Sequence, residues 1–574
     1  MSASSKSLWK WTSSPAIVLY LATAKLLLHL LTAGRYGIFR DELYYLACAE
    51  HLDWGYVDQP PAIALIAWFV RHVLGTSLLG LRLLPAIVGA ALVWLTGKLA
   101  RDMGGGRFAQ ALAALATIVV PIYLVIHHWL TMNAFEPLIW MGAAWCVVRA
   151  VNTGKGSYWL WFGVIIGVGL QTKYSVIFFA FGIVVGLILT SERRFLKSKW
   201  IWLGALAALM IFLPNLLWLV KHDFPFLELM RNIRESGRDV ARGPVAFIAD
   251  QALIMNPILF PLWAGGLLWL FVGEQGVKGE WGKWRKGKRV KANRGADDGP
   301  AEVTENYTND RGRYRILGWA YVVMLVTFIV LKGKNYYLMP AYPMLFAAGG
   351  IPFERATARK KQEAGAGGRS ESESVHLPSA PASCSWLLYL RYAYVALILL
   401  AGTALTPLSV PLLSPETYVS YQKTLGIEPS KTENQDTGPL PQYFADEFGW
   451  EDMTRAVAEV YNSLPPDERA QTAIFANSYG QAGAIDFFGP KYGLPKAISN
   501  HQNYWLWGPR NYTGAIVIVL GSDGEGDREH FQTVDPVGRT NHPYSRRDEH
   551  YEIFLCRGLN QDLKTLWPSI KKWH

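Results

Sequence analysis

Residues 15–70 read PAIVLYLATAKLLLHLLTAGRYGIFRDELYYLACAEHLDWGYVDQPPAIALIAWFV. The first apolar run, 15–33, approaches the roughly 20 residues that cross a bilayer core. A second run follows Pro61, and between them lies a loop with the adjacent carboxylates Asp41 and Glu42, six aromatic residues and the Asp58-Gln59-Pro60-Pro61 turn. A chain that alternates lipid-length apolar runs with short polar loops is built to cross a membrane repeatedly. Tyr44, Tyr45, Trp54 and Tyr56 suit a membrane–water interface. The proline pair turns the chain stiffly into the next apolar segment, because proline fixes its own φ and restricts its predecessor.

The rest of the chain repeats this pattern. Of 574 residues, 51% are hydrophobic and only 18% charged, against about 25% charged in soluble domains. Membrane helices are expected near 15–33, 82–100, 108–126, 134–150, 158–172, 174–190, 200–220, 251–273, 314–331, 339–353 and 386–410. Segment 62–79 is apolar too, but Arg71 and His72 interrupt it; it is expected to lie at the interface, with spanning as the alternative. The expectation is a polytopic α-helical membrane protein with about eleven or more spans. The run 15–33 lacks a small-residue cleavage site and reads as a retained helix rather than a signal peptide.

The net charge of +11 reports topology before it reports nucleic acid, since cytoplasmic loops collect Lys and Arg. With Lys6 and Lys10 inside, the loops 98–107, 149–155, 191–199, 278–294 and 354–365 are inside and basic. The loops at about 276–313 and 354–385 have a composition that favours disorder. Loop 34–61, the turn at Lys173, loop 221–250, 332–340 and the tail beyond 410 then lie outside. Cys48, Cys146, Cys384 and Cys556 have no metal-ligand or disulfide spacing.

From about 411 the composition changes. TAIFANSYGQAGAIDFF (472–488) reads as strand, turn and helix, GAIVIVLGS (514–522) and YEIFLCRGL (551–559) as strands, and WEDMTRAVAEVYNSL (450–464) as a helix. This predicts an extracytoplasmic α/β domain at 411–574 behind a membrane module at 1–410.

Four stretches carry a family resemblance. RDELYY…HLDWGYVDQPPAIALI, LRLLPAIVGAALVWLTGKLARDMGG (81–105), TMNAFEPLIWMGAA (131–144) and KNYYLMPAYPML (334–345) occur in order on the expected sides. Together they resemble the GT-C superfamily of membrane glycosyltransferases, in the family-39-like branch of protein O-mannosyltransferases and lipid A aminoarabinose transferases. The resemblance implies transfer of a monosaccharide from a polyprenyl-phosphate donor to an acceptor hydroxyl at the outer face. The acceptor, whether protein, lipid A or glycan, stays open. So does a divalent cation, although such donors manage without one.

An alcohol needs a general base near neutral pH, and the resemblance puts Asp41 in that role, with Glu42 as substitute or orienter. It places Tyr45, Asp58, Gln59, Asn133 and Glu136 around the substrate. Gln59 stands where the aminoarabinose transferases carry a phosphate-binding lysine, and Asn133 where relatives often carry Asp; Glu136 restores a carboxylate one turn on. Cations for the lipid phosphate are Lys173, the loop arginines Arg231, Arg234 and Arg238, and Lys334, with Tyr336 and Tyr337 beside it. Each has a plain reading as well: a snorkelling lysine, a solvated helix face, an aromatic belt. Arg231, Arg234 and Arg238 at spacings 3 and 4 are expected to share one helix face. His127 and His128 are adjacent, so they face different directions and argue against a metal site. Lys25 and His29 inside the first helix are expected to pack into the bundle. The rival function is a multi-pass transporter or flippase of a lipid-linked or sugar substrate, with Lys25, His29 and Lys173 lining its path. The expected setting is a bacterial inner (plasma) membrane.

Overall fold

The computed structural model describes residues 13–238, 240, 242–273, 312–357, 386–431 and 433–574. The basic segments at 278–294 and 358–365, Lys6, Lys10 and Cys384 fall outside these residues. The apolar runs become α1 (Ser14–Thr32), α4 (Leu78–Asp102), α5 (Arg107–Ile118), α7 (Met132–Thr153), α8 (Ser157–Leu170), α9 (Val176–Ile188), α10 (Lys199–Lys221), α13 (Phe260–Val272), α14 (Arg315–Val330), α15 (Tyr342–Thr357) and α16 (Trp386–Ser409). Among the described residues, five are long and apolar enough to cross a membrane: α1, α4, α7, α10 and the Tyr389–Ser409 part of α16. The chain is a multi-pass membrane protein, with several further apolar helices shorter than a full span.

Two expected helices are broken. The run at 108–126 stops at Ile118 and restarts at Pro121 as the short α6 (Pro121–Ile126), because proline cannot supply the amide that would continue α5. The run at 251–273 divides into α12 (Pro244–Ile254) and a segment from Pro257 to Val272, with a 98° bend between them. Asn256 sits at φ 69° at the break, and Pro257 and Pro261 follow it. The stretch after Pro61 forms α3 (Ala62–Phe69) and a π-helical turn, Val70–Leu74. Together these are about 20 Å long, short of the ~30 Å bilayer core.

Helices α8 and α10 touch backbone to backbone. A Cβ on Gly163 would lie 2.0 Å from the Gly204 carbonyl oxygen, and one on Gly204 would lie 2.2 Å from that of Trp159. Small residues at such crossings let helices associate where lipid removes the hydrophobic drive.

Loop 34–61 is built on α2 (Arg40–Glu50). Glu42 caps it from within: Oε2 accepts from Phe39 N at 2.9 Å and Oε1 from Leu130 N at 2.8 Å. Arg82 on α4 pins the approach. Its guanidinium donates to the carbonyls of Ala33, Arg35 and Gly37 at 2.6–2.8 Å and to Glu447 at 2.9 Å.

Between α10 and α12, α11 (Pro225–Ser236) faces the C-terminal segment that follows α16: Asn232 donates to the Trp573 carbonyl at 2.7 Å. That segment contains α17 (Pro415–Thr424), α18 (Gln442–Ala445), α19 (Trp450–Ser463), α20 (Pro466–Gln471) and α21 (Tyr479–Phe488) around a five-stranded sheet. The strands are β1 (Thr472–Ala476), β2 (Ile498–Ser499), β3 (Ile516–Leu520), β4 (Phe531–Arg539) and β5 (Glu552–Leu559), in the order β2-β1-β3-β5-β4. β1 runs parallel to β2 and β3, while β5 is antiparallel to β3 and β4. Strands fall on all three stretches read as strands. One hydrophobic core joins Leu43, Tyr44 and Ala47 of α2 to Ala482, Ile485, Ile474 and Ile518, so the loop and the C-terminal segment are packed as one body.

Candidate active site

Asp41 lies in the first turn of α2 and keeps 27% of its side chain exposed. Tyr479, the first residue of α21, donates its hydroxyl to Asp41 Oδ1 at 2.9 Å. Helix α21 starts there because Ser478 caps it, accepting from Gln481 N at 3.2 Å. It reaches α2 because two glycines face that helix. A Cβ on Gly480 would lie 2.5 Å from the Arg40 side chain, and one on Gly483 would meet the Leu43 carbonyl group at 3.0 Å. Burial pushes the Asp41 carboxyl above the usual carboxylate range, against the opposing pull of Arg40 and of the Tyr479 hydrogen bond.

Behind Asp41 is a buried network of charge. Arg40 lies 3.7 Å from Asp41, 3.9 Å from Asp446 and 4.0 Å from Glu433. Glu433 is also paired with Arg238, and has Lys334 and Arg546 at 3.9 Å. Burial opposes ionisation of Glu433, but Arg40, Arg238 and Lys334 outweigh it and hold the carboxyl well below the usual range. Arg546 also pairs with Asp446 at 3.0 Å and with Glu549 at 3.2 Å, so the four cations share four carboxylates in one ion-pair network behind Asp41.

A second group lies across the 3₁₀ segment Asn335–Ala341. Lys173 donates to Glu136 Oε2 and to Asn133 Oδ1, each at 2.8 Å, and Ser175 hydrogen-bonds Glu136. The Lys173 ammonium stands 5.1 Å from the Tyr337 ring centre and 5.9 Å from that of Tyr336, within cation–π range. Lys334 precedes these tyrosines, so residues 334–337 link the two groups.

Asp58 accepts from the Tyr44 hydroxyl at 2.9 Å, and Tyr44 in turn accepts from Asn503 Nδ2 at 2.7 Å. Burial raises the Asp58 carboxyl to about 7, with the Tyr44 hydrogen bond opposing. Tyr45 is buried, close enough to Asp41 and Asp58 to feel both charges.

The structure therefore gathers Asp41, Tyr45, Asp58, Asn133, Glu136, Lys173, Lys334, Tyr336 and Tyr337 around the loop. It does not bring four other candidates there. Glu42 is fully buried and spent on two backbone amides. Gln59 is fully buried and turns its amide toward Cys48 Sγ at 3.8 Å. Arg231 and Arg234 are exposed on α11. Arg238 does not share their face, because α11 ends at Ser236 and Gly237 turns left-handed at φ 62°; that turn sends Arg238 to Glu433.

Lys25 and His29 pack inside the bundle, with Lys25 donating to the Tyr123 carbonyl at 2.9 Å. His127 Nδ1 is 2.6 Å from that same carbonyl. Among the described residues, no group of three or more His, Cys, Asp or Glu side chains is arranged to hold a metal ion.

Sequence reasoning missed Tyr479, Glu433, Asp446 and Arg546. The capping pattern Ser478–Gln481 marks the start of α21, but nothing local marks what Tyr479 touches.

Three comparisons bear on the chain. Residues 58–218 match the family described as dolichyl-phosphate-mannose-protein mannosyltransferase. A lipid A galacturonosyltransferase, RgtD of Rhizobium johnstonii, is 29% identical over 239 residues, 39% of this chain and 48% of that protein; the match spans about half the length of that curated relative. The crystal structure of ArnT from Cupriavidus metallidurans bound to undecaprenyl phosphate superposes with a TM-score of 0.54 at 13% identity, covering 94% of this chain and 97% of that one. Its apo form gives 0.53 over the same shares. The ArnT likeness is one of fold. With the family match and the relative, it agrees with the GT-C resemblance carried by the four sequence stretches.

Proposed function

From a GT-C-like fold of this kind, we propose that the chain transfers a monosaccharide from a polyprenyl-phosphate donor to an acceptor hydroxyl at the outer face of a bacterial inner membrane. The observation that carries this reading is Asp41: a partly exposed carboxylate on a loop between membrane helices, oriented by Tyr479 and backed by clustered cations. The donor class is supported by the family's description, which names a polyprenyl-phosphate sugar, and by the ArnT structure, which holds undecaprenyl phosphate. Lipid A is the acceptor favoured by the relative's name. The family description names mannose and the relative galacturonic acid, two six-carbon sugars that differ at C6, so the transferred sugar is left open between them and other hexosyl or pentosyl units.

In the proposed step Asp41 accepts the proton of the acceptor hydroxyl as its oxygen bonds to the anomeric carbon. The bond from that carbon to the lipid-phosphate oxygen breaks, and the phosphate leaves with the electron pair. The anomeric centre passes through an oxocarbenium-like state, as in glycoside hydrolysis. A direct displacement inverts the centre. In this step Arg238, Lys334 and Lys173 stabilise the departing phosphate, and Tyr336 and Tyr337 flank it. Asp58 and Tyr45 line the acceptor side. The C-terminal segment completes the base through Tyr479 as well as covering it.

The test uses purified protein in lipid nanodiscs with radiolabelled polyprenyl-phosphate sugars and a membrane extract as acceptor. Wild type should move label from the donor lipid, and Asp41→Asn should reduce this by about 10²–10⁴-fold, the usual worth of a general base. Equal transfer by both proteins would remove Asp41 from the mechanism. In sealed proteoliposomes, movement of donor across the membrane without a new glycosidic bond would instead establish a transporter.

A further inference from the structure

A second feature of the loop lies at the far end of α2. A cavity of about 330 Å³ opens between the end of that helix, the end of α10 and residues 503–507. Its walls are aromatic. His51 stacks on Trp507 with ring centres 4.3 Å apart, and Trp218 stacks on His222 at 4.1 Å. Its polar groups are fixed in place. Asp53 Oδ2 accepts from Trp218 Nε1 at 2.8 Å, and Asn503 Oδ1 accepts from Val57 N at 3.0 Å. Aromatic side chains beside the exposed, oriented Asp53 carboxylate match a saccharide ring, whose C–H faces stack on aromatic rings while its hydroxyls pair with a carboxylate; buried Asn503, bonded to Val57 and Tyr44, holds the floor of the cavity. The volume is at the small end of ligand sites, right for a sugar unit rather than a lipid chain.

The cavity is coupled to the candidate active site. Asn503 donates to Tyr44, which donates to Asp58. Asp41 and His51 mark opposite ends of α2, ten residues or about 15 Å apart along the axis. That is too far for the donor's single sugar to occupy both places. A longer saccharide presenting one hydroxyl at Asp41 would extend this far.

We propose that the His51–Trp507–Trp218–His222 cavity, with Asp53 and Asn503, is a binding subsite for a sugar residue of the acceptor, remote from the one that is glycosylated. The acceptor is then a saccharide-bearing molecule longer than one unit, a conclusion that rests on the glycosyltransferase reading. Binding of a saccharide in the cavity does not.

The experiment separates the two. Methyl glycosides of a hexose, an N-acetylhexosamine and a hexuronic acid are titrated into the full-length protein in nanodiscs, read by saturation-transfer NMR. Wild type and Asp41→Asn should bind at least one glycoside alike. Trp507→Ala and Asp53→Asn should weaken that binding by about tenfold or more, while Trp507→Phe, which retains an aromatic face, should keep most of it. If Trp507→Ala fails to fold, His222→Ala serves in its place. In transfer assays the cavity variants should raise the acceptor KM and leave the donor KM unchanged. No glycoside binding, or binding indifferent to all cavity variants, overturns the proposal. So does loss of binding in the cavity variants with wild-type acceptor KM, which denies the cavity an acceptor role. Glycoside binding without transfer from any donor would overturn the acceptor role together with the enzymatic reading, leaving a saccharide site in a protein of another kind.

Discussion

At the scale of single residues, the Asp41–Tyr479 contact governs what the site can do. In the proposed step Asp41 serves as a base only when ionised, and burial raises its carboxyl above the usual range. Tyr479→Phe removes a hydrogen bond to the charged form, worth about 1.5–3 kcal/mol. The acid limb of the pH–rate profile should therefore move up by about one to two pH units, with little change in donor KM. A merely structural tyrosine would lower activity equally at every pH. Asp58 offers a separate test. Its folded-state value of about 7 exceeds the unfolded 3.8, so between these values the folded protein binds more protons, and stability falls as pH rises. Asp58→Asn should abolish that loss: the variant's Tm in detergent should exceed that of wild type at pH 8 and match it at pH 4. Asp41 was legible from sequence because both its loop and its neighbours are local. Tyr479 was not, because the two residues are 438 positions apart and no pattern of spacing reports such a contact. The burial of Gln59 was not legible either: it adjoins Asp58 in sequence, but the structure buries it fully against Cys48 while Asp58 stays half-buried and bonded to Tyr44.

At the scale of elements, the site depends on how closely α21 approaches α2. Gly483→Val should push the helices apart and separate Tyr479 from Asp41. Overpacking of this kind costs about 1–3 kcal/mol. A lower Tm and transfer reduced at least as far as in Tyr479→Phe are expected, while Gly493→Ala, at an open left-handed turn, should show a smaller Tm loss with transfer retained. Element positions were largely readable, because apolar length and turn residues are local signals. Where an element was misjudged, a specific residue intervened. Pro121 divides one apolar run, and Asn256 with Pro257 bends another through 98°. Gly237 ends α11 before Arg238 can join its face; a Ser-Gly pair at that place is a stop signal that the arginine periodicity overrode.

At the scale of the whole molecule, the membrane helices and the C-terminal segment meet over one core and one charge network. Leu43 and Tyr44 of the loop are covered by Ala482 and Ile485, and Arg40 and Lys334 are partnered by Glu433. Ending the chain at residue 410 should therefore abolish transfer although Asp41 and Lys173 remain, and should expose the loop to protease in spheroplasts. Transfer retained by the truncated protein would confine the segment to acceptor choice. The sequence showed the change of character near 411 but not this interdependence, since charges at 40, 238, 334, 433 and 546 converge only in space. The same separation has a consequence in time. At about 5–20 residues per second of synthesis, Asp41 leaves the ribosome roughly twenty seconds to a minute and a half before the tyrosine that orients it. Through that interval the loop carboxylate lacks the residue that orients it, so the order of the chain delays completion of the candidate site until synthesis is nearly finished.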